Sequence, residues 1–234
     1  MNMWSILERI AGKRLFMDSK KKAIISFTFD DAPVSSFTMG GKILEDNGFR
    51  GTYYIAAELL ERLTEIGQIA GLKTITEFRK RGHEIANHTY GHINCEKSGP
   101  VRVIRSIQEN RKMLDGIVSS NFSYPFGAID SQARFATRLC STSARGISPG
   151  INRGIINLMD LKAVRIYSRS GIDRCLGLVR ECAALGGWLI FYTHDVCDSP
   201  SDFGCTPEQF REVVAAASNR KISVLTVQKA MEIL

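Results

Sequence analysis

The chain has 234 residues, 44% of them hydrophobic, and a formal charge of +7. That is enough apolar content to bury a full core, while no apolar run approaches the roughly 20 residues of a membrane span. The N-terminus lacks the apolar stretch and small-residue cleavage site of a secretory leader, and no recognition motif or aromatic-basic interleaving accompanies the charge, which argues against nucleic acid as a partner.

Residues 1–22 hold six basic and two acidic side chains. Trp4, Ile6, Leu7, Ile10, Leu15 and Phe16, interleaved with Arg9, Lys13 and Arg14, make this a basic amphipathic segment. Two readings compete: a helix resting on the anionic inner face of a membrane, or an ordinary first helix covering the bottom of the domain, which is preferred. From residue 23 short apolar runs alternate with helical periodicity. Strands are predicted at 23–29, 52–56, 83–87, 121–124, 163–167, 188–193 and 222–226. Between them helices are predicted at 36–47, 74–81, 100–117, 131–139, 172–186 and 207–218, with 227–234 last. The alternation implies an α/β fold with a parallel sheet, open or closed. With no repeat or Pro/Ser-rich linker, residues 23–234 read as a single domain. The six cysteines show no metal or redox spacing and read as free thiols of a reducing cytoplasm, with a loop bridge between Cys197 and Cys205 as the less favoured alternative.

Chemistry-bearing residues gather at the ends of these strands. Asp30-Asp31 closes the run Ala23 to Phe29, His88-Thr89-Tyr90-Gly91-His92 follows the third strand, Pro125-Phe126 the fourth, and His194-Asp195 the sixth. Three of the four histidines lie at these places. Two imidazoles four apart can share one face of a helical turn, and with one carboxylate they leave positions on a metal ion open for water and substrate. A second carboxylate and a third His remain for proton transfer. Taken singly, Asp-Asp is usually a turn, His-Asp a surface turn, and His83, inside a strand, a buried structural residue. It is their joint placement at the C-terminal ends of strands that marks a site.

Four segments in order, Thr28-Phe29-Asp30-Asp31, His88-Thr89-Tyr90-Gly91-His92, Ser123-Tyr124-Pro125-Phe126-Gly127 and the apolar strand ending Thr193-His194-Asp195, resemble the polysaccharide deacetylase family, the NodB-homology or carbohydrate esterase 4 type. The resemblance implies a distorted, partly closed (β/α) barrel. It also implies that Asp31, His88 and His92 hold one divalent metal ion, zinc first, with cobalt, nickel or manganese as alternatives. Asp30 would be the general base and His194 the general acid. The Phe126 N–H, after Pro125 and beside Tyr124, would face the oxyanion. Two departures stand out. The family's Arg two residues before the Pro is Ser123 here, and the Asp-and-Trp element that supports the catalytic His has no clear copy. Arg145, Arg153, Asp160 or Arg165 are the candidates to substitute; the missing Arg is expected to be replaced from residues 145–169.

Residues 145–174 carry six cations and two acids. They are expected at the rim of the site, where Arg145, Arg153 or Arg169 would meet an anionic, carrier-linked substrate. The expected activity is metal-dependent removal of an N-acetyl group from a sugar, a cytoplasmic glycan or O-antigen-type precursor on a nucleotide or lipid carrier. The alternatives are the same chemistry on an N-formyl or small cyclic amide, and a non-catalytic glycan-binding protein.

Overall fold

A computed structural model describes residues 14–17, 22–218 and 222–234. Its strands are β1 (Arg14–Met17), β2 (Ala23–Asp30), β3 (Thr52–Ile55), β4 (Leu63–Thr64), β5 (Gly67–Gln68), β6 (Glu84–Asn87), β7 (Asn121–Ser123), β8 (Ser143–Arg145), β9 (Gly154–Asn157), β10 (Val164–Arg165), β11 (Gly187–Thr193) and β12 (Ser223–Val224). The main sheet is parallel throughout and runs β10-β11-β2-β3-β6-β7-β8. One edge of β2 is shared: β12 pairs with Ile24 and Ile25, β3 with residues 28–30. At the far side Arg145 bridges to Leu161, and the Gly146 N–H donates to the Leu161 carbonyl at 3.0 Å. The chain just before β10 thus comes back against β8, and the sheet curls into a partly closed barrel, as expected.

Strand alternation gives the sheet two faces. Ile25, Phe27, Phe29, Leu189 and Phe191 pack under the helices Asp173–Leu185 and Pro207–Ser218 through Val179, Cys182, Phe210, Val213 and Val214. The alternate residues Ile24, Trp188, Ile190 and Tyr192 fill the barrel with Leu161, Ala163 and Val227, and the Trp188 Nε1–H donates to Ser26 Oγ at 2.9 Å.

The N-terminal ends of the strands are sealed by a buried carboxylate that sequence reading did not single out. Glu84 accepts hydrogen bonds from Thr52 Oγ1 (2.8 Å), Ser119 Oγ (2.6 Å), Asn121 Nδ2 (2.6 Å) and the Gln228 N–H (2.8 Å) at the start of the helix Val227–Glu232. An anion there is favoured by four donors and by the helix end. Glu84→Ala would strand several of these donors in the interior and is expected to lower the unfolding free energy by about 3–5 kcal/mol. Urea denaturation of the two proteins checks this.

Several expectations are corrected. Arg14–Met17, placed by sequence in an amphipathic helix, is a strand antiparallel to β9; its edge-on pairing overrides the helical spacing of the apolar residues. The rest of that helix, at residues 1–13, lies outside the described residues. The helix expected at 36–47 opens as a π-helical run, Ser36–Gly41, before Lys42–Asp46, pressed so close to the sheet that a Cβ on Gly41 would meet the Tyr53 hydroxyl of β3 at 2.7 Å. The strands β8 and β9 and the small hairpin β4–β5 were not foreseen.

Candidate active site

The barrel's interior phase places five side chains at its C-terminal mouth. Counting in twos along each strand, Asp30, Ser123 and Arg145 point inward at the ends of β2, β7 and β8, and His88 and His194 are the next inward positions after β6 and β11. Asp31 breaks this pattern. As the direct neighbour of Asp30 it belongs on the opposite face, but Asp31 (φ 56°) and Ala32 (φ 53°) take left-handed backbone and turn it into the same cavity. His88 and His92 are likewise not on a helical turn, as their spacing predicts, but on a loop bent at Thr89 (φ 61°) and His92 (φ 47°). Thr89 shapes that loop: its N–H donates to Asn87 Oδ1 at 2.9 Å and its Oγ1 accepts from the Ile93 N–H at 3.1 Å. Strain of this kind in non-glycine residues concentrates at functional sites.

Asp31 Oδ1 lies 3.3 Å from His92 Nε2 and 3.7 Å from His88 Nε2, and one ligand atom from each of the three residues falls within 4.8 Å of the others. The His88 Nδ1–H is committed to the Ser123 carbonyl at 2.8 Å, which leaves Nε2 as the lone-pair nitrogen. Burial pushes the imidazolium pKa of His88 down to about 3 and of His92 to about 4, so both rings are neutral donors. Burial, and then the negative charge of Asp30, push Asp31 up to about 8. Asp31 Oδ1 is buried and has no hydrogen-bond partner among the described residues. An orphaned carboxylate oxygen facing two neutral imidazole nitrogens fits a divalent cation, which would satisfy all three at once.

Asp30 sits beside this cradle against a different partner. Arg145 donates to both Asp30 carboxylate oxygens and to Ser123 Oγ, and the two partners of that last contact are paired in register across β7 and β8. Burial works against the charged form of Asp30, yet Arg145, helped by His88 and His194, holds its carboxyl below the usual range. Arg145 itself is 1% exposed, flanked by the rings of Tyr54 and Tyr192. It lies against Ser123 Oγ and does not line the pocket. Arg153 is placed elsewhere too. It lies beside Gly187 at the opposite end of β11 and pairs with Glu181 at 2.8 Å, because the chain from 150 to 157 runs along the barrel's bottom to reach β1. Asp160 faces Arg134 at 3.7 Å.

His194 Nδ1–H donates to the Phe203 carbonyl at 3.2 Å, and Nε2 stands 3.9 Å from Asp31 Oδ2. Asp195 holds the following loop: it accepts from the Ser201 N–H (2.7 Å) and Oγ (2.6 Å). Tyr124 is anchored by its hydroxyl to the Met159 carbonyl at 3.0 Å. After Pro125, Phe126 adopts φ 61°; the residue is 65% exposed, and its ring centroid lies 4.4 Å from that of His92. Asp30, Asp31, His88, His92, Tyr124, Phe126 and His194 border one pocket of about 420 Å³, together with Ile66, Ile69, Ile147, Arg165, Tyr167, Arg169 and Phe203; Ser123, Pro125, Arg145, Arg153 and Asp195 do not line it.

The family profile described as polysaccharide deacetylase matches residues 18–143, more than half of the chain, and covers Asp30, Asp31, His88 and His92. The chain belongs to this family. It is 25% identical over 206 residues to a chitooligosaccharide deacetylase of Sinorhizobium fredii, covering 86% of this chain and 85% of that one. It is 28% identical over 129 residues to a peptidoglycan-N-acetylglucosamine deacetylase of Bacillus cereus, where the match spans 52% of this chain and 43% of the relative. Among solved structures, a family 4 acetyl xylan esterase from Clostridium thermocellum, in complex with a cobalt ion, superposes with a TM-score of 0.63 at 16% identity over 90% of this chain and 91% of that one. That likeness concerns the fold.

The raised pKa of Asp31 makes a prediction about metal uptake. Near neutral pH the metal-free carboxyl still carries a proton, which a bound cation must displace. Apparent affinity is therefore expected to rise about tenfold per pH unit until pH approaches 8, with close to one proton released per ion at pH 6.5. Calorimetric titration with zinc in buffers of different ionisation enthalpy measures that proton directly.

Proposed function

We propose that this chain is a metal-dependent deacetylase acting on an N-acetylated amino sugar, with Asp31, His88 and His92 as ligands, Asp30 as general base and His194 as general acid. The observation that carries the reading is the division of labour between adjacent carboxylates. Among the described residues Asp31 Oδ1 has no hydrogen-bond partner and faces the Nε2 atoms of His88 and His92, whereas Arg145 pairs with Asp30 and holds its carboxyl below the usual range. A divalent ion, zinc by the chemistry of two imidazoles and a carboxylate, supplies the positive charge that makes water nucleophilic near neutral pH and polarises the amide carbonyl.

Asp30 takes the proton from the water as its oxygen bonds to the acyl carbon. The Phe126 N–H, fixed by the left-handed turn after Pro125, donates to the oxygen on which charge develops. His194, with Nδ1–H held by the Phe203 carbonyl, presents Nε2 to the site. It acts in the imidazolium form, which burial disfavours, giving the Nε2 proton to the nitrogen as the C–N bond breaks and ending as the neutral ring. The products are acetate and a free amino sugar. All six cysteines are unpaired, including Cys197 and Cys205, which supports a reducing compartment for the protein and hence an intracellular precursor as substrate.

The test is release of acetate from a panel of acetamido sugars by zinc-loaded protein. Acetate and amine appearing in equal amounts, lost on chelation and restored by metal, are expected. Metal-bound protein that releases formate from N-formyl sugars instead, or binds glycans without turnover, overturns the assignment.

A further inference from the structure

We propose that Arg165 and Arg169 form an anion subsite at the mouth of this pocket, which takes the phosphate of a phosphorylated acetamido sugar. The inference rests on the deacetylase reading and names the class of its substrate. Both arginines border the pocket, and both guanidinium carbons lie close to one ring: Arg165 is 5.8 Å and Arg169 5.9 Å from the Tyr167 centroid, with Arg169 also 5.6 Å from that of Phe203. Tyr167 is itself 5% exposed, so it is a fixed platform close to both charges. Two like charges bordering one pocket repel, and a bound anion relieves that repulsion.

Glu65 also borders the pocket, but the counter-charge in contact with the two arginines is small. Among the described residues Arg165 has no carboxylate partner, and Arg169 has only Asp202, 3.1 Å away with that carboxylate 75% exposed. The register explains why Arg165 faces the site. It pairs with Tyr192 across β10 and β11, two residues before His194. The basic segment 145–174 is thus divided by the fold. Of its six cations Arg145 serves Asp30, Arg153 serves Glu181 at the far end, and Arg165 and Arg169 are the two that border the pocket. An amide substrate is neutral at the reacting group, so two cations at the mouth answer to something attached to the sugar. Guanidinium pairs bind phosphate through parallel N–H donors.

The test compares kcat/KM, at low and high salt, for N-acetylglucosamine, its 1-phosphate, its nucleotide diphosphate conjugate and a polyprenyl phosphate conjugate in micelles. Wild-type protein is expected to favour a phosphorylated form at least tenfold at low salt, with the advantage shrinking as salt rises. The soluble and lipid arms tell which carrier fits. The Arg165→Gln/Arg169→Gln variant is expected to cut the ratio of phosphorylated to neutral substrate by about 10-fold or more. Arg153→Gln removes a charge from the same basic segment and should leave that ratio as it was. Equal kcat/KM for neutral and phosphorylated sugars, or a ratio unchanged in the double variant, overturns the subsite while leaving the deacetylase reading intact. Calorimetry with glucose 1-phosphate reads the subsite apart from turnover. Binding that weakens in the double variant, with zinc content unchanged, supports it even if no sugar is hydrolysed; binding that is indifferent to both arginines overturns it.

Discussion

Asp30→Asn is expected to fold and to hold zinc at one ion per chain, while turnover falls by about 10²–10⁴-fold, the usual worth of a positioned general base. The amide is nearly the same shape as the carboxylate and can still accept a hydrogen bond from Arg145, so the barrel mouth keeps its packing. What it cannot do is take a proton from water. The three proposed ligands are untouched, because Asp30 is not among the side chains that surround the orphaned oxygen of Asp31. Metal content and kcat measured on the same preparation decide the matter. Near-normal turnover with metal bound would mean that the base is another group.

Arg145→Ala should be damaging in two ways that pH separates. Arg145 is the cation that keeps a buried Asp30 below its ordinary value of 3.8. Without it, burial dominates and the folded-state pKa of Asp30 rises above the unfolded one. Wild-type Asp30 contributes stability that is present above pH 4 and lost as pH falls through its depressed folded pKa. In the variant the sign reverses, and ionised Asp30 destabilises the fold above pH 4. The loss of stability is therefore expected to be largest at neutral pH, about 3–5 kcal/mol for a buried charge stripped of its partner, and to shrink towards pH 4. The acid limb of kcat/KM should move to higher pH, since Asp30 must be ionised to act, which a merely structural arginine would not cause. Ser123→Arg/Arg145→Ser, which returns the guanidinium to the paired position on β7, is expected to recover part of both losses. A swapped protein no better than the single variant would show that the guanidinium acts only from β8.

The placement of the site was legible because its residues end apolar strands, and strands with alternation or continuous apolar character announce themselves. Asp30, His88 and His194 could be read to the correct rim for that reason. Arg145 could be named only as one of several candidates. Its strand, Ser143–Arg145, is three residues long and holds one apolar side chain, and its partner Asp30 lies 115 residues away. Nothing local reports a contact closed by the curvature of a whole sheet. Arg153 was misjudged for the same reason: charge density along the chain does not tell which end of a barrel a loop visits. Glu84 looked like an ordinary polar residue beside His83, since its four donors come from β3, the residues around β7 and the last helix. The left-handed residues at the mouth gave little signal, because Ala32, Thr89 and Phe126 are of types that do not advertise positive φ.

The reversed backbone at Asp31 has a consequence for which substitutions the chain can accept over evolutionary time. Two neighbouring side chains serve one cavity only because the strand ends with a twist that a lengthened or β-branched residue resists. Aspartate is among the few side chains that sit easily in that conformation and also carry a negative charge. Glutamate at 31 would keep the charge but strain the twist and overreach the cradle, whereas asparagine would keep the twist and forfeit the charge. Position 31 is thus narrowed by two independent demands, and drift there has almost nowhere to go. Position 30 answers to one demand alone, an acid in reach of Arg145, so tolerance should differ between adjacent aspartates that look interchangeable on paper.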